Sequence, residues 1–334
     1  MKRRISTVTI LALLCGAMLL GTAALAADTA DKLTWPAKTP LLVFPDKGGG
    51  AQEATCRIMS DYVQQHAGVP FTYVNNQEGN GTVAYDMVRT ADKDGSKLLV
   101  CSMITFVKYY TGMYQHNPET EFTYIAAIPS NNTYAMVVRA DSPHKTSQEV
   151  ADYIKANPNK LICGLELGGT SHVMAGKFAK DAGGQFRYVE AGSTPSKLAA
   201  LQGGHIDITY AATSAVDQYV KTGKLRILGL LTADGKRDPR FPDYPSLVDE
   251  GFANCTWQVP IIISGPKGMD EALVQSIFKT FHDACMDKES QEKFEKMNWP
   301  MWCLDSVEAS VKFVEEEAAS IKGVLADIGM LKQQ

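Results

Sequence analysis

The sequence predicts an α/β protein built from two domains. Three observations carry this. Short apolar runs alternate with helical patterns, the alternation changes character near residue 125, and glycine-rich loops recur at strand-to-helix junctions in both halves.

The first 26 residues stand apart. Lys2, Arg3 and Arg4 form a basic head, residues 8–20 an apolar core, and Ala24, Leu25 and Ala26 a small-x-small cleavage site. This is the pattern of a secretory leader, with a core too short for a comfortable membrane span. Cys15 lies inside that core behind Leu14, which does not suit lipid attachment. No later segment reaches some 18 apolar residues without charge, so a soluble, exported mature chain is expected. Removing 26 of the 334 residues leaves 308, a length that suits two domains. The 33 Lys and Arg against 37 Asp and Glu are scattered, and no basic stripe points to nucleic acid. Cys56, Cys101, Cys163, Cys255, Cys285 and Cys303 have long, irregular spacings without a C-x-x-C pair, which speaks against zinc. They read either as buried thiols or as one or two disulfides.

Residues 41–44 form a short strand, followed by a helix over 51–66 with Ala54, Ile58, Tyr62 and Val63 on one face. Strand 71–74, helix 82–91 and strand 97–101 follow, and these uninterrupted apolar runs suit a parallel sheet buried on both faces. Extended runs over 124–128 and 134–139 flank Asn131, Asn132 and Thr133. Thr146 and Glu149 make a capping box for a helix that ends near Asn157 and Pro158. A second βα set continues through strands 160–164, 186–189, 205–209 and 225–231, with helices 171–182, 195–202 and 213–222. Residues 236–250 are proline-rich and irregular. A strand over 257–264, helices 270–286 and 290–297, and a final helix opened by Asp305 and Glu308 complete the chain. Two extended crossings, near 129 and near 255, imply a discontinuous first domain of residues 27–128 and 255–334, with 129–254 as the second. The ligand then belongs in the cleft between them.

The triple glycine after the first strand is the first candidate site. Glycine lets backbone N–H groups approach a ligand, and a helix start adds unpaired donors and partial positive charge. Ala51, Gln52 and Glu53 follow the glycines, where a nucleotide phosphate loop needs Lys-Ser/Thr, and no G-x-G-x-x-G occurs. A tight turn without a ligand is the competing reading. Gly168, Gly169, Thr170, Ser171 and His172 form a second such loop, and Ala191, Gly192, Ser193, Thr194 and Pro195 a third. Three small-residue loops with hydroxyls, each opening a helix toward one cleft, suit a small carboxylate.

These loops sit within an ordered set of motifs: Trp35-Pro36 and Lys38-Thr39-Pro40; Gly48-Gly49-Gly50; NNQEGNG at 75–81; Asp94-Gly95; Gly169-Thr170-Ser171 with Ala175-Gly176; LQGGHID at 201–207; Gly223-Lys224-Leu225-Arg226; and PRFPDYPSLVDEG at 239–251. In this order and spacing, nearly all of the mature chain resembles the periplasmic solute receptors of tripartite tricarboxylate transporters, the Bug proteins. The resemblance implies a type II periplasmic binding protein, with two α/β domains around a ligand cleft joined by two crossover strands. It implies a receptor that captures a small organic carboxylate and delivers it to a membrane permease, without a cofactor or metal, as a monomer. It points to Pro45, Asp46, Lys47, Gly48, Gly49, Gly50, Ala51 and Gln52, to Gly169, Thr170, Ser171 and His172, and to Gly192, Ser193 and Thr194 as ligand-binding residues.

The chain departs from the family pattern in several places. Ala51-Gln52 replaces Thr-Asp, and Asp46-Lys47 replaces small residues. Lys47 either faces an anionic ligand or pairs with Asp46 in solvent. His172 either senses ligand charge or only begins a helix. Glu190 and Ala191 replace a Tyr-Lys-like pair, so positive charge is lost and a tricarboxylate is disfavoured. A ligand sensor feeding a signalling partner would keep the same pocket. A hydrolase needs a positioned nucleophile and base, and the sequence contains no G-x-S-x-G, H-E-x-x-H or catalytic S-x-x-K setting. Ser171 beside His172 is adjacency, not a triad.

Overall fold

The computed structural model describes residues 34–332 except Lys47 and Asn298, together with the backbone but not the side chain of Ala51. The leader at 1–26, Cys15 and Lys47 lie outside the described residues. The chain forms two five-stranded sheets of matching design. The first contains β1 (Leu41–Phe44), β2 (Thr72–Asn75), β3 (Lys97–Cys101), β4 (Phe122–Ile128) and β10 (Ile261–Pro266), ordered β2-β1-β3-β10-β4. The second contains β5 (Tyr134–Arg139), β6 (Ile162–Leu165), β7 (Arg187–Glu190), β8 (Ile208–Ala212) and β9 (Leu225–Leu231), ordered β7-β6-β8-β5-β9.

Neither sheet is wholly parallel, which corrects the expectation from the apolar runs. The trio β2-β1-β3 is parallel, as is β7-β6-β8. β10 runs antiparallel to β3 and β4, and β5 antiparallel to β8 and β9. In each sheet the antiparallel strand arrives directly from the other lobe, so it enters from the opposite end. Burial on both faces hides this direction from an apolar pattern.

The helices follow the strands. They are α1 (Ala51–Ala67), α2 (Thr82–Arg89), α3 (Ile104–Tyr110), α4 (Pro118–Glu121), α5 (Ser147–Ala156), α6 (Thr170–Ala182), α7 (Thr194–Gln202), α8 (Thr213–Lys221), α9 (Glu271–Met286), α10 (Lys288–Lys296) and α11 (Val307–Asp327). The Thr146 cap accepts from Glu149 N as its sequence predicts. At α11 the cap is Ser306, which accepts from Ala309 N at 3.0 Å, one residue beyond Asp305. The strand expected at 205–209 begins at Ile208, because α7 closes through Gly204 in the left-handed region and His205 N bonds Ala200 O at 3.0 Å. Residues 257–260 belong to a crossing instead of a strand: Trp257 N bonds Thr232 O, and Val259 O accepts from Ser130 Oγ at 2.8 Å. Helix α3 escapes its sequence because Thr105, Phe106, Val107, Lys108 and Tyr110 are all buried, which leaves no polar face to set a period.

Apolar clusters line each sheet, with Leu42, Val100, Ile263 and Phe281 in the first lobe and Val137, Leu201 and Val216 in the second. A third cluster joins Met103, Phe106 and Ala127 of the first lobe to Met136, Phe178 and Tyr210 of the second through Val314, Ala318 and Ile321 of α11. All six described cysteines are free and buried. Burial pushes the Cys101 thiol up to about 11 and Cys285 to about 12, so they remain protonated core residues. Among the described residues no helix is long and apolar enough to cross a membrane.

The first crossing is pinned by Asp238, which is 2% exposed. It accepts from Arg240 Nε at 2.9 Å and Nη2 at 2.6 Å, and from the Thr133 hydroxyl. Burial pushes the Asp238 carboxyl up, but the bonds from Arg240 and Thr133 outweigh it and hold the group below its usual range. Removing one member leaves polar partners unpaired, so Asp238→Ala is expected to lower unfolding free energy by about 3 kcal/mol in denaturant titration.

Candidate functional site

The carboxyl ends of the six parallel strands gather the predicted loops. Pro45–Gly50 leads from β1 to α1, residues 166–169 from β6 to α6, and residues 191–193 from β7 to α7. Gly48 has φ +80°, and a Cβ there would lie 2.9 Å from the Asn75 amide carbon. Only glycine serves both constraints. Gly168, at φ +73°, faces the opposite lobe, where a Cβ would lie 2.7 Å from Met113 Cε. The second loop therefore packs against Met113 of the first lobe.

The loops do not offer bare glycine N–H groups, as the sequence reading expected. Gly48 N donates to Asp46 Oδ1 and Gly49 N to Glu53 Oε2, both at 2.9 Å. Asn75 Nδ2 bonds both carboxylates at 3.0 Å. In the second lobe Gly192 N donates to Glu190 Oε1 at 2.7 Å and Leu167 N to Glu190 Oε2 at 2.8 Å. The chain's own carboxylates fill the turns, and the Gly49 N–H with Arg57 holds Glu53 below the usual carboxylate range. The donors still available are those of the first helical turns. Gly50, Gly169 and Ser193 stand at the N-caps of α1, α6 and α7, and none supplies a side-chain cap. The first one or two N–H groups of those helices have no intrahelical partner by geometry, whereas His172 N already bonds Gly169 O at 3.1 Å and Pro195 supplies no donor.

The other described candidates have definite settings. Gln52 and Thr170 are half-buried, Ser193 is exposed, and Thr194 is the first residue of α7. Ser171 is buried and faces its own turn, its Oγ accepting from Glu166 N at 3.0 Å. His172 is 3% exposed, with its ring 4.6 Å from that of Tyr188. Gly168 N donates to its Nδ1 at 3.2 Å, so the ring proton lies on Nε2, a buried atom without a partner among the described residues. Burial pushes the ring down to about 4 against the pull of Glu190. His172 is therefore neutral and structural near pH 7.

Two residues escaped sequence analysis. Lys108 of α3 and Lys197 of α7 are buried at these same strand ends. The Lys108 ammonium bonds Asn80 O, and Lys197 Nζ bonds Tyr210 O at 3.1 Å. A lysine in a short helix reads as surface, and no local pattern marks it otherwise.

His172 gives a pH test. Its folded value near 4 lies below the ordinary 6.5, so the unfolded chain takes up the proton first as pH falls. Wild-type stability is expected to decline from pH 6.5 to 4, by up to about 3 kcal/mol, and to lose nothing further from this group below that. His172→Asn, whose carbonyl can replace Nδ1, should flatten this part of the thermal-unfolding profile.

The family model of the tripartite tricarboxylate transporter family receptor matches residues 56–330. A Cupriavidus necator protein, "UPF0065 protein in gbd 5'region", is 30% identical over 94% of each chain. The Bordetella pertussis protein BugT is 21% identical over 82% of this chain and 84% of its own. Among solved structures, the periplasmic binding protein BugD superposes with a TM-score of 0.71 at 21% identity, covering 90% of this chain and 100% of its own. MatC from Rhodopseudomonas palustris with bound malate gives 0.69 at 20% identity, over 87% and 100%. An R. palustris protein with adipate gives 0.71 at 21%, over 88% and 98%. These structures share the two-lobed α/β fold of periplasmic binding proteins, and by the extent of the family match this chain belongs to the tripartite tricarboxylate transporter receptor family.

Proposed function

We propose that the protein is an exported receptor that captures a small organic carboxylate between its lobes and presents it to a membrane permease. One observation carries the reading: in both lobes, uncapped helix starts stand at the carboxyl ends of a parallel strand trio. Such starts bind anions through oriented N–H groups and the helix dipole. Family membership supports the receptor role, and the malate and adipate in the related structures support the ligand class. The protein acts by binding, without chemistry on the ligand.

The lobes are assigned as residues 27–128 with 255–334, and 129–254, an assignment supported by the membership of the two sheets. The leader would be cleaved near Ala26, releasing a monomer into the periplasm. The ligand contacts are assigned to the first turns of α1, α6 and α7, with Gln52, Thr170 and Thr194 supplying side chains. Asp46, Gly48, Gly49, Gly192, Ser171 and His172 shape the turns behind them. Holding the anion by dipoles instead of a salt bridge at the glycine loops favours release on docking.

Native mass spectrometry of gently purified protein, followed by a thermal-shift panel of mono-, di- and aromatic carboxylates, tests the reading. Ligand at a hundred times its dissociation constant adds about 2.7 kcal/mol to stability, a clear rise in Tm. Gly49→Val strains a backbone at φ +72° without a clash, and Thr170→Tyr crowds the start of α6. Both variants should stay folded and weaken the binding acid by about tenfold or more. Unchanged affinity removes these loops from the site.

A further inference from the structure

Lys108 and Lys197 are 6% and 5% exposed, yet each ammonium bonds one backbone carbonyl and has no ion pair among the described residues, with Lys108 also 5.5 Å from the Tyr85 ring centroid. An ammonium carries three donors, and burying its charge without a counter-charge is costly. Their positions are not equivalent in the two lobes: Lys108 lies on the helix after β3 and Lys197 on the helix after β7. The Lys108 ammonium lies 3.3 Å from where a Gly81 Cβ would stand, and that point is 2.6 Å from Pro45 O, at the ends of β1 and β2. Lys197 reaches Tyr210 of β8 and senses Glu190 at the end of β7. Both ammonium groups sense the same carboxylate, Glu166, just after β6. Glu166 is exposed and lies over Gly169, where a Cβ would be 2.9 Å from its carboxyl carbon. A third buried lysine, Lys177, is elsewhere: it bonds Thr256 O at the crossing and lies over Trp257.

We propose that Lys108 and Lys197 each hold one carboxylate of a single small dicarboxylate, one from each lobe, and that Glu166 competes with the ligand for both. This rests on the carboxylate-receptor reading and adds two specificity residues to it. The dipoles of the helix starts attract any anion. Two fixed charges on opposite lobes distinguish an acid with two charged ends from one with a single end, and reward closure only when both ends are present.

Calorimetric titration of the purified protein with succinate, glutarate and adipate, and with the monomethyl ester of each, tests this directly. The esters remove one charge at nearly constant size. The wild type is expected to bind one diacid about tenfold or more tighter than its half-ester. Lys108→Met and Lys197→Met should each bring that ratio to within about threefold. Glu166→Gln should tighten diacid binding. Methionine preserves length and removes a desolvated charge, so folding should survive, as thermal unfolding without ligand will check. If Lys108→Met does not fold, Lys108→Gln and Lys197→Met decide the matter. A half-ester bound as tightly as its diacid, or a ratio unchanged by both lysine variants, overturns the lysine assignment and leaves the carboxylate receptor standing. Failure of every mono- and dicarboxylate to bind overturns both.

Discussion

The structure depends on a constraint at the strand-to-helix junctions. Six helices leave the carboxyl ends of parallel strands, and none has a side-chain cap at Gly50, Gly81, Met103, Gly169, Ser193 or Ala212. The five remaining helices are all capped by side chains, from Asn117, Thr146, Asp270, Asp287 and Ser306. A cap satisfies N–H groups and contributes about 1 kcal/mol to helix stability. Forgoing it at one shared edge concentrates unsatisfied donors and positive dipole ends there. The rest of the site responds to that concentration: Asp46, Glu53 and Glu190 fold back onto the turns, and Glu166 lies over the start of α6.

Much of this was legible in the sequence. The repeated glycine loops, the crossings and the two βα sets follow from patterns whose cause is local: alternation, caps and turn residues. The Thr146 cap and strand Leu225–Leu231 stand where their residues predict. What was illegible was set by partners distant in sequence. The reversed strands β5 and β10 look apolar like their parallel neighbours, because a run buried on both faces records no direction. Helix α3 carries no amphipathic period, and so Lys108 had no context that distinguished it from a surface lysine. The resemblance located the loops without disclosing that Asp46, Glu53 and Glu190 occupy their N–H groups.

His172 shows the same limit at a single residue. Its place at a helix start left open a sensor of ligand charge or a residue that only begins a helix. The structure buries its ring against Tyr188 and uses Nδ1 to hold the Gly168 turn. Its function there is geometric: it fixes the glycine that faces Met113 across the lobes.

Helix α11 packs on β4 and α3 of the first lobe and on α6 of the second. Gly176 permits the close approach of α6, where a Cβ would lie 2.9 Å from Ile328 and 3.1 Å from Val324. Parting the lobes widely would expose Val324 and Ile328, at about 25 cal/mol per Å2 of apolar surface. The C-terminal helix therefore acts as a brace, carried by the first lobe and packed on α6 of the second.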